Sequence, residues 1–240
     1  MVINSNQFKE ILKSLQLFKK ERNLYLVDQR DGLLGNLLEE MTEHIRAKDE
    51  YEKIDSLCDM IVFTANALDN TDAGIKIDQL DLNNIILEKV EMSNEFLAIL
   101  IPQVTMARSN EMYMILIRHL LNCIYTLGYD PYLCLLETLR EIHSRTGEYN
   151  SDIRKFVKHK GAYNKGDIQN DYSRAIIHVK EDIENGIYRV YQPDDLVLEE
   201  KEDKTEIMVT NTFNKEQIGF KQFDTYVMWY KADYSKCKFE

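Results

Sequence analysis

Over the first 145 residues apolar positions recur every three or four residues, in long stretches with little Pro or Gly, which predicts amphipathic helices. The first covers roughly residues 6–22, with Phe8, Ile11, Leu12, Leu15 and Phe18 on one face. The second, roughly 33–47, carries Leu34, Leu37, Leu38, Met41 and Ile45 as its apolar stripe. After a short break at Lys48-Asp49-Glu50 a third runs to Leu68. The polar stretch Asp69 to Asp81 leads to an apolar-rich helical pattern over 82–104 and another helix over 110–127. Gly128-Tyr129-Asp130-Pro131 reads as a stop followed by a start, because Gly ends helices, Asp caps them and Pro suits the first turn. The last helix, 132–145, ends at Gly147. The expectation is an all-α core over residues 1–147, a bundle of four to five helices.

Residues 148–240 are expected to form a mixed, aromatic-rich extension packed on that core. Helical readings fit Lys155 to Lys160 and Lys180 to Asn185, Tyr188 to Tyr191 reads as extended, and Asp195 to Glu200 pairs with Glu206 to Phe213 as a hairpin around Lys201 to Lys204. Of 24 aromatic residues, 13 lie beyond residue 150. Tyr226, Trp229, Tyr230, Tyr234 and Phe239 crowd the final stretch, which predicts a docked tail rather than a loose one.

Charge changes the picture in two ways. The chain of 240 residues carries a formal net charge of −11, which disfavours a stable nucleic-acid complex. Most of that charge sits in residues 1–150, with 15 basic and 24 acidic side chains. The longest apolar runs fall far short of the roughly 20 residues that span a bilayer. Four scattered cysteines without CxxC spacing, and a start that does not read as a signal peptide, predict a reducing, cytoplasmic setting.

From Glu39 to Asp59 the sequence is EEMTEHIRAKDEYEKIDSLCD, with eight acids in 21 positions. On a helix Glu39, Glu40 and Glu43 share one face, by itself the mark of a solvated surface. The next helix shifts the balance. Asp55, Asp59 and Asn66 lie within about 40° of one another, and from Met60 onward the segment is apolar nearly all round, as a buried helix is. Carboxylates leading into such a segment have to be paired, protonated or bound to a cation. The short connection folds the two helices into an antiparallel hairpin in which Glu43 faces Asp55, and Glu39 and Glu40 face Asp59. Oxygen donors without His or Cys suit a hard cation, Mg²⁺ or Mn²⁺, which orients phosphate esters and activates water.

Competing motifs are weaker. The di-iron Glu-x-x-His pattern is absent. Gly161 to Gly166 imitates the start of a phosphate loop without the Lys-Ser/Thr that completes it.

The Glu39-Glu40-x-x-Glu43 run, followed after a short turn by Asp59 at the head of an apolar helix, resembles the all-α nucleoside triphosphate pyrophosphohydrolases, the MazG-like group. That family's second motif, ExxD, is replaced here by Asp55-x-x-x-Asp59, as in its phosphoribosyl-ATP pyrophosphohydrolase-like, phage-type branch. Glu141 to Arg145 and Tyr191 to Leu196 also look like that branch. The resemblance implies Mg²⁺-dependent hydrolysis of a nucleoside triphosphate to the monophosphate and pyrophosphate, in a homodimer or homotetramer, in a host cytoplasm if the chain is phage-encoded. It implies Glu39, Glu40, Glu43, Asp55 and Asp59 as metal ligands, with Glu39 and Glu40 also serving catalysis. Asn66, Arg145, Lys155, Lys158 and Arg189 are the expected substrate contacts. The alternative is a non-catalytic module that keeps the scaffold to bind a nucleotide or a partner.

Overall fold

Five short polar side chains fix where helices begin. Asn4 accepts from the Gln7 N–H and gives its own N–H to Gln7 Oε1, a capping box ahead of α1 (Ser5–Glu21). Asp49 accepts from the Glu52 N–H ahead of α3 (Glu50–Asn66). Ser93 and Ser109 do the same for α4 (Asn94–Ala107) and α5 (Asn110–Thr126). Asp130 accepts from the Tyr132 and Leu133 N–H groups ahead of α6 (Pro131–Ser144), with Pro131 in the first turn. Of the six helices α1 to α6, α2 (Leu26–Arg46) starts without a side-chain cap.

The structure, a computed structural model, describes residues 1–68, 84–91, 93–150, 152, 155–159, 161–164, 176–186, 196–200, 206–222 and 227–239. The chain divides into two compact units, Met1–Val157 with Tyr230–Glu240, and Lys158–Trp229. The first is mainly helical around one apolar core, so the expected all-α core is present, with six helices among its described residues. α3 lies at its centre, packed against α1, α2, α5 and α6. Ile54, Leu57, Cys58, Ile61 and Ala65 are buried on one side, and Met60, Val62 and Thr64 are buried as well. The all-round burial foreseen for this segment is therefore found. Val2–Ile3 (β1) pairs antiparallel with Ile85–Ile86 (β2).

Several boundaries differ from the sequence reading. α2 begins seven residues earlier than expected, running through Gly32 and Gly35. Its core face is Leu33, Leu37, Met41 and His44, whereas Leu34, Leu38 and Ile45 are 40%, 46% and 54% exposed. The stripe was read one residue out of phase because Leu33-Leu34 and Leu37-Leu38 are doublets, and the buried polar His44 completes the inner row. The helical pattern expected over 82–104 holds only from Asn94, since Ile85 and Ile86 are drawn into β2 and Ser93 starts α4. Lys155–Lys158 is a strand (β4) paired with Gly147–Asn150 (β3), not a helix; Phe156 and Val157 favour an extended chain. The expected polar stretch Asp69 to Asp81, and Tyr188 to Tyr191, lie outside the described residues.

In the second unit Gly161–Ala162 (β5) runs parallel to Val227–Met228 (β9). Gly161 is required there: a Cβ would meet the Trp229 ring at 2.0 Å. Leu196–Glu200 (β6), Glu206–Asn211 (β7) and Gln217–Gln222 (β8) form an antiparallel sheet, so the expected hairpin gains a third strand. A helix over 176–184 contributes Val179 to a small core with Val209. Among the described residues no helix is long and apolar enough to cross a membrane.

Candidate functional site

The α2–α3 hairpin is pinned by a buried polar contact. His44 Nδ1 lies 3.1 Å from Ser56 Oγ and 3.4 Å from the Lys53 carbonyl. Burial holds the His44 imidazole below its ordinary range, so it acts as a neutral hydrogen-bonding strut. This contact sets the antiparallel register and carries the acids on the two helices toward one another.

Glu40 registers the result. Burial, followed by the charges of Asp59, Glu43, Asp55 and Glu39 in that order, pushes its carboxyl up to about 8. The five acids singled out in the sequence thus share one electrostatic neighbourhood, with the half-buried Glu40 at its centre and Glu39 and Glu43 at its exposed edge.

Asp55 faces another way as well. Its Oδ1 accepts a hydrogen bond of 2.6 Å from the hydroxyl of Tyr234, a side chain only 5% exposed that also lies 3.0 Å from Thr138 Oγ1. Burial pushes the Asp55 carboxyl up against the pull of this bond, with Glu141 adding to the rise and Arg145 and Lys231 opposing it. The acids therefore divide into an α2–α3 pair led by Glu40 and Asp59, and an Asp55 shared with α6 and the C-terminal segment.

Tyr234 belongs to that segment because α6 holds it with two buried acids. Glu137 Oε2 accepts from the Tyr230 hydroxyl and, at 3.2 Å, from the Asp233 N–H. Glu141 Oε2 accepts from the Ala232 N–H at 2.8 Å while its other oxygen pairs with Arg145. Burial alone would raise Glu137; the bonds from Tyr230 and Asp233, with Arg140 and Lys236 nearby, hold it below the usual carboxylate range. The sequence reading placed Tyr234 among docking aromatics and missed its reach to Asp55. Glu137 and Glu141, spaced i, i+4 among buried residues of α6, were the available sign that something donates to that face.

The expected substrate residues are scattered in role. Asn66 is 2% exposed at the end of α3; its carbonyl accepts from Lys19 Nζ at 3.1 Å, and its Oδ1 has no hydrogen-bond partner among the described residues. Arg145 is engaged with Glu141, with its charge felt at Asp55. Lys158 is exposed on β4, and Lys155 is placed on the same strand by its backbone. Arg189 lies outside the described residues.

Among the described residues no group of three or more His, Cys, Asp or Glu side chains converges closely enough to hold a metal ion. The donor chemistry nonetheless fits a hard divalent cation: the acids supply oxygen alone, and a cation would relieve the crowding that lifts Glu40. No known protein family, no curated protein and no solved structure matches this chain.

Proposed function

We propose that the helical unit is a Mg²⁺- or Mn²⁺-dependent nucleoside triphosphate pyrophosphohydrolase of the MazG-like kind, its working bundle made of four to five of its helices, acting as a homodimer or homotetramer in a cytoplasm. The observation that carries the proposal is Glu40, a half-buried carboxyl raised to about 8 by burial and then by four neighbouring acids on one helix hairpin. A carboxyl whose proton affinity lies near neutrality is suited to accept a proton at working pH. Bound Mg²⁺ would offset the acids' charge and polarise the phosphates. Glu39, Glu40, Glu43, Asp55 and Asp59 are the residues to hold it. Ionised Glu40, with Glu39 as its neighbour, takes the proton of the water that attacks the α-phosphorus; the α–β anhydride bond breaks and pyrophosphate leaves. Arg145, together with Lys155, is assigned to the phosphates and Asn66 to the nucleoside.

The test is a panel of canonical and modified triphosphates with Mg²⁺, scoring pyrophosphate against phosphate release. Monophosphate and pyrophosphate are the expected products; a diphosphate with free phosphate would overturn the reading. Asp59→Asn is expected to abolish release while its melting temperature in EDTA stays the same or rises, because removing one charge relieves repulsion. Mg²⁺ should then stabilise the wild type more than the variant. Lower melting in EDTA with full activity would remove Asp59 from the site.

A second reading is favoured by Asp55, whose Oδ1 is already engaged by Tyr234. In it the scaffold binds a nucleotide or partner without turnover. Nucleotide binding with no product across the panel would select it.

A further inference from the structure

α2 carries two apolar rows, and the helical unit buries one of them. Leu33, Leu37, Met41 and His44 face the core, whereas Val27, Leu34, Leu38 and Ile45 are all exposed, Val27 by 54%. On a helix of 3.6 residues per turn these four fall within about 40° of one another and run for about 27 Å. Single exposed apolar side chains are ordinary. A continuous row at spacings of seven, four and seven is the seam of a helix pair. Its border is kept low: Thr42 turns its hydroxyl back to the Leu38 carbonyl at 2.8 Å, and Gly35 presents no side chain. A Cβ at Gly35 would meet nothing within 4 Å. Packing within the chain therefore does not call for this glycine, which weakens a helix; a second helix laid against the row does.

The row is symmetric about residue 36. Read from either end it is the same, with Val27 matching Ile45 and Leu34 matching Leu38. A two-fold interface has this property, since residue i meets j as j meets i. Charge selects the same direction. A parallel pair would set Glu39, Glu40 and Glu43 level with their own copies; an antiparallel pair sets them level with residues 29–32 of the partner subunit, whose two charges cancel. It also brings Arg46 within one turn of the partner's Asp28 on the same flank, twice by symmetry. The bordering acids Asp28, Asp31 and Glu39 repel an anionic lipid surface.

We propose that α2 pairs antiparallel with α2 of a second copy of this chain, across a two-fold axis level with residue 36. Leu34 packs on the partner's Leu38 and Val27 on the partner's Ile45. Glu39, Glu40 and Glu43 lie about 120° or more round the helix from the seam, so pairing leaves both acid clusters open. The proposal gives the self-association in the proposed function its contact surface, and it rests on that reading for nothing else.

The experiment measures the mass of the full-length protein by sedimentation equilibrium across the micromolar range. The wild type is expected to self-associate, and Leu38→Glu to halve the mass of the assembly while keeping the wild-type circular dichroism. Oxidative cross-linking reads the direction: Leu34→Cys protein mixed with Leu38→Cys protein should give a disulfide-linked dimer, and neither should do so alone. A monomeric wild type, a Leu38→Glu assembly of unchanged mass, or links formed by each cysteine variant with itself would overturn the proposal. The cross-link holds the test open should Leu38→Glu fold poorly. Neither readout needs a nucleotide. A paired chain that releases no pyrophosphate loses the enzyme reading and keeps the interface, and a monomer that releases it does the reverse.

Discussion

Glu40 has a measurable consequence without any ligand. In the folded protein its carboxyl titrates at about 8, whereas in the unfolded chain it ionises near the ordinary value, about 4.3. Between those values the folded protein holds a proton that the unfolded chain has lost. Its contribution to stability is full below the unfolded pKa and is lost as pH rises through the folded one. The metal-free protein should therefore melt at progressively lower temperature as pH rises from about 5 to about 8. Glu40→Gln should flatten that slope and melt above the wild type at the alkaline end; a slope that survives the substitution would place the crowding elsewhere. The acid run was legible in the sequence because charge next to an apolar helix demands a partner. The engagement of Asp55 by Tyr234 was not, since 179 residues separate them and no spacing rule joins an aromatic tail to one acid.

Helix starts were written locally, and the caps show why they could be read. Asp130 has two N–H donors on one oxygen, at 2.9 and 3.2 Å, ahead of a Pro in the first turn. Asp130→Ala should cost about 1 kcal/mol, visible as a lower urea midpoint with an unchanged slope. A changed slope would mean that more than the cap was lost. Boundaries set by competition between elements were harder to read. Ile85 and Ile86 sit in a helical pattern until β1 recruits them, and Phe156-Val157 becomes a strand because β3 lies within reach. The misphased α2 stripe has the same origin: paired leucines offer two faces, and the neighbours chosen in three dimensions decide between them.

For the molecule as a whole, the first unit closes over residues from both ends of the sequence. Removing residues 230–240 takes away Tyr234 and Cys237 from the core. It also strips Glu137 and Glu141 of their donors from Tyr230, Ala232 and Asp233. Two buried carboxyls that each keep one arginine, Arg140 or Arg145, but lose every donor to the other oxygen are costly at neutral pH and less so when protonated. Melting of the truncated chain is expected to fall by about 5 °C or more at neutral pH, with part of the loss recovered in acid. An unchanged melting curve would show that the segment lies on the unit without supporting it.

The same arrangement sets an order on biosynthesis. α6 leaves the ribosome long before Tyr234 and Cys237 are made, and at translation rates of about 5–20 residues per second the delay is several seconds. During that interval the faces of Cys58, Cys134 and Thr138 that meet the C-terminal turn have no cover. Lys158–Trp229 has time to fold as its own unit while the helices wait. The nascent helical bundle is therefore an open vessel whose stopper is made only after the whole of Lys158–Trp229, and chaperone occupancy should be heaviest over that window.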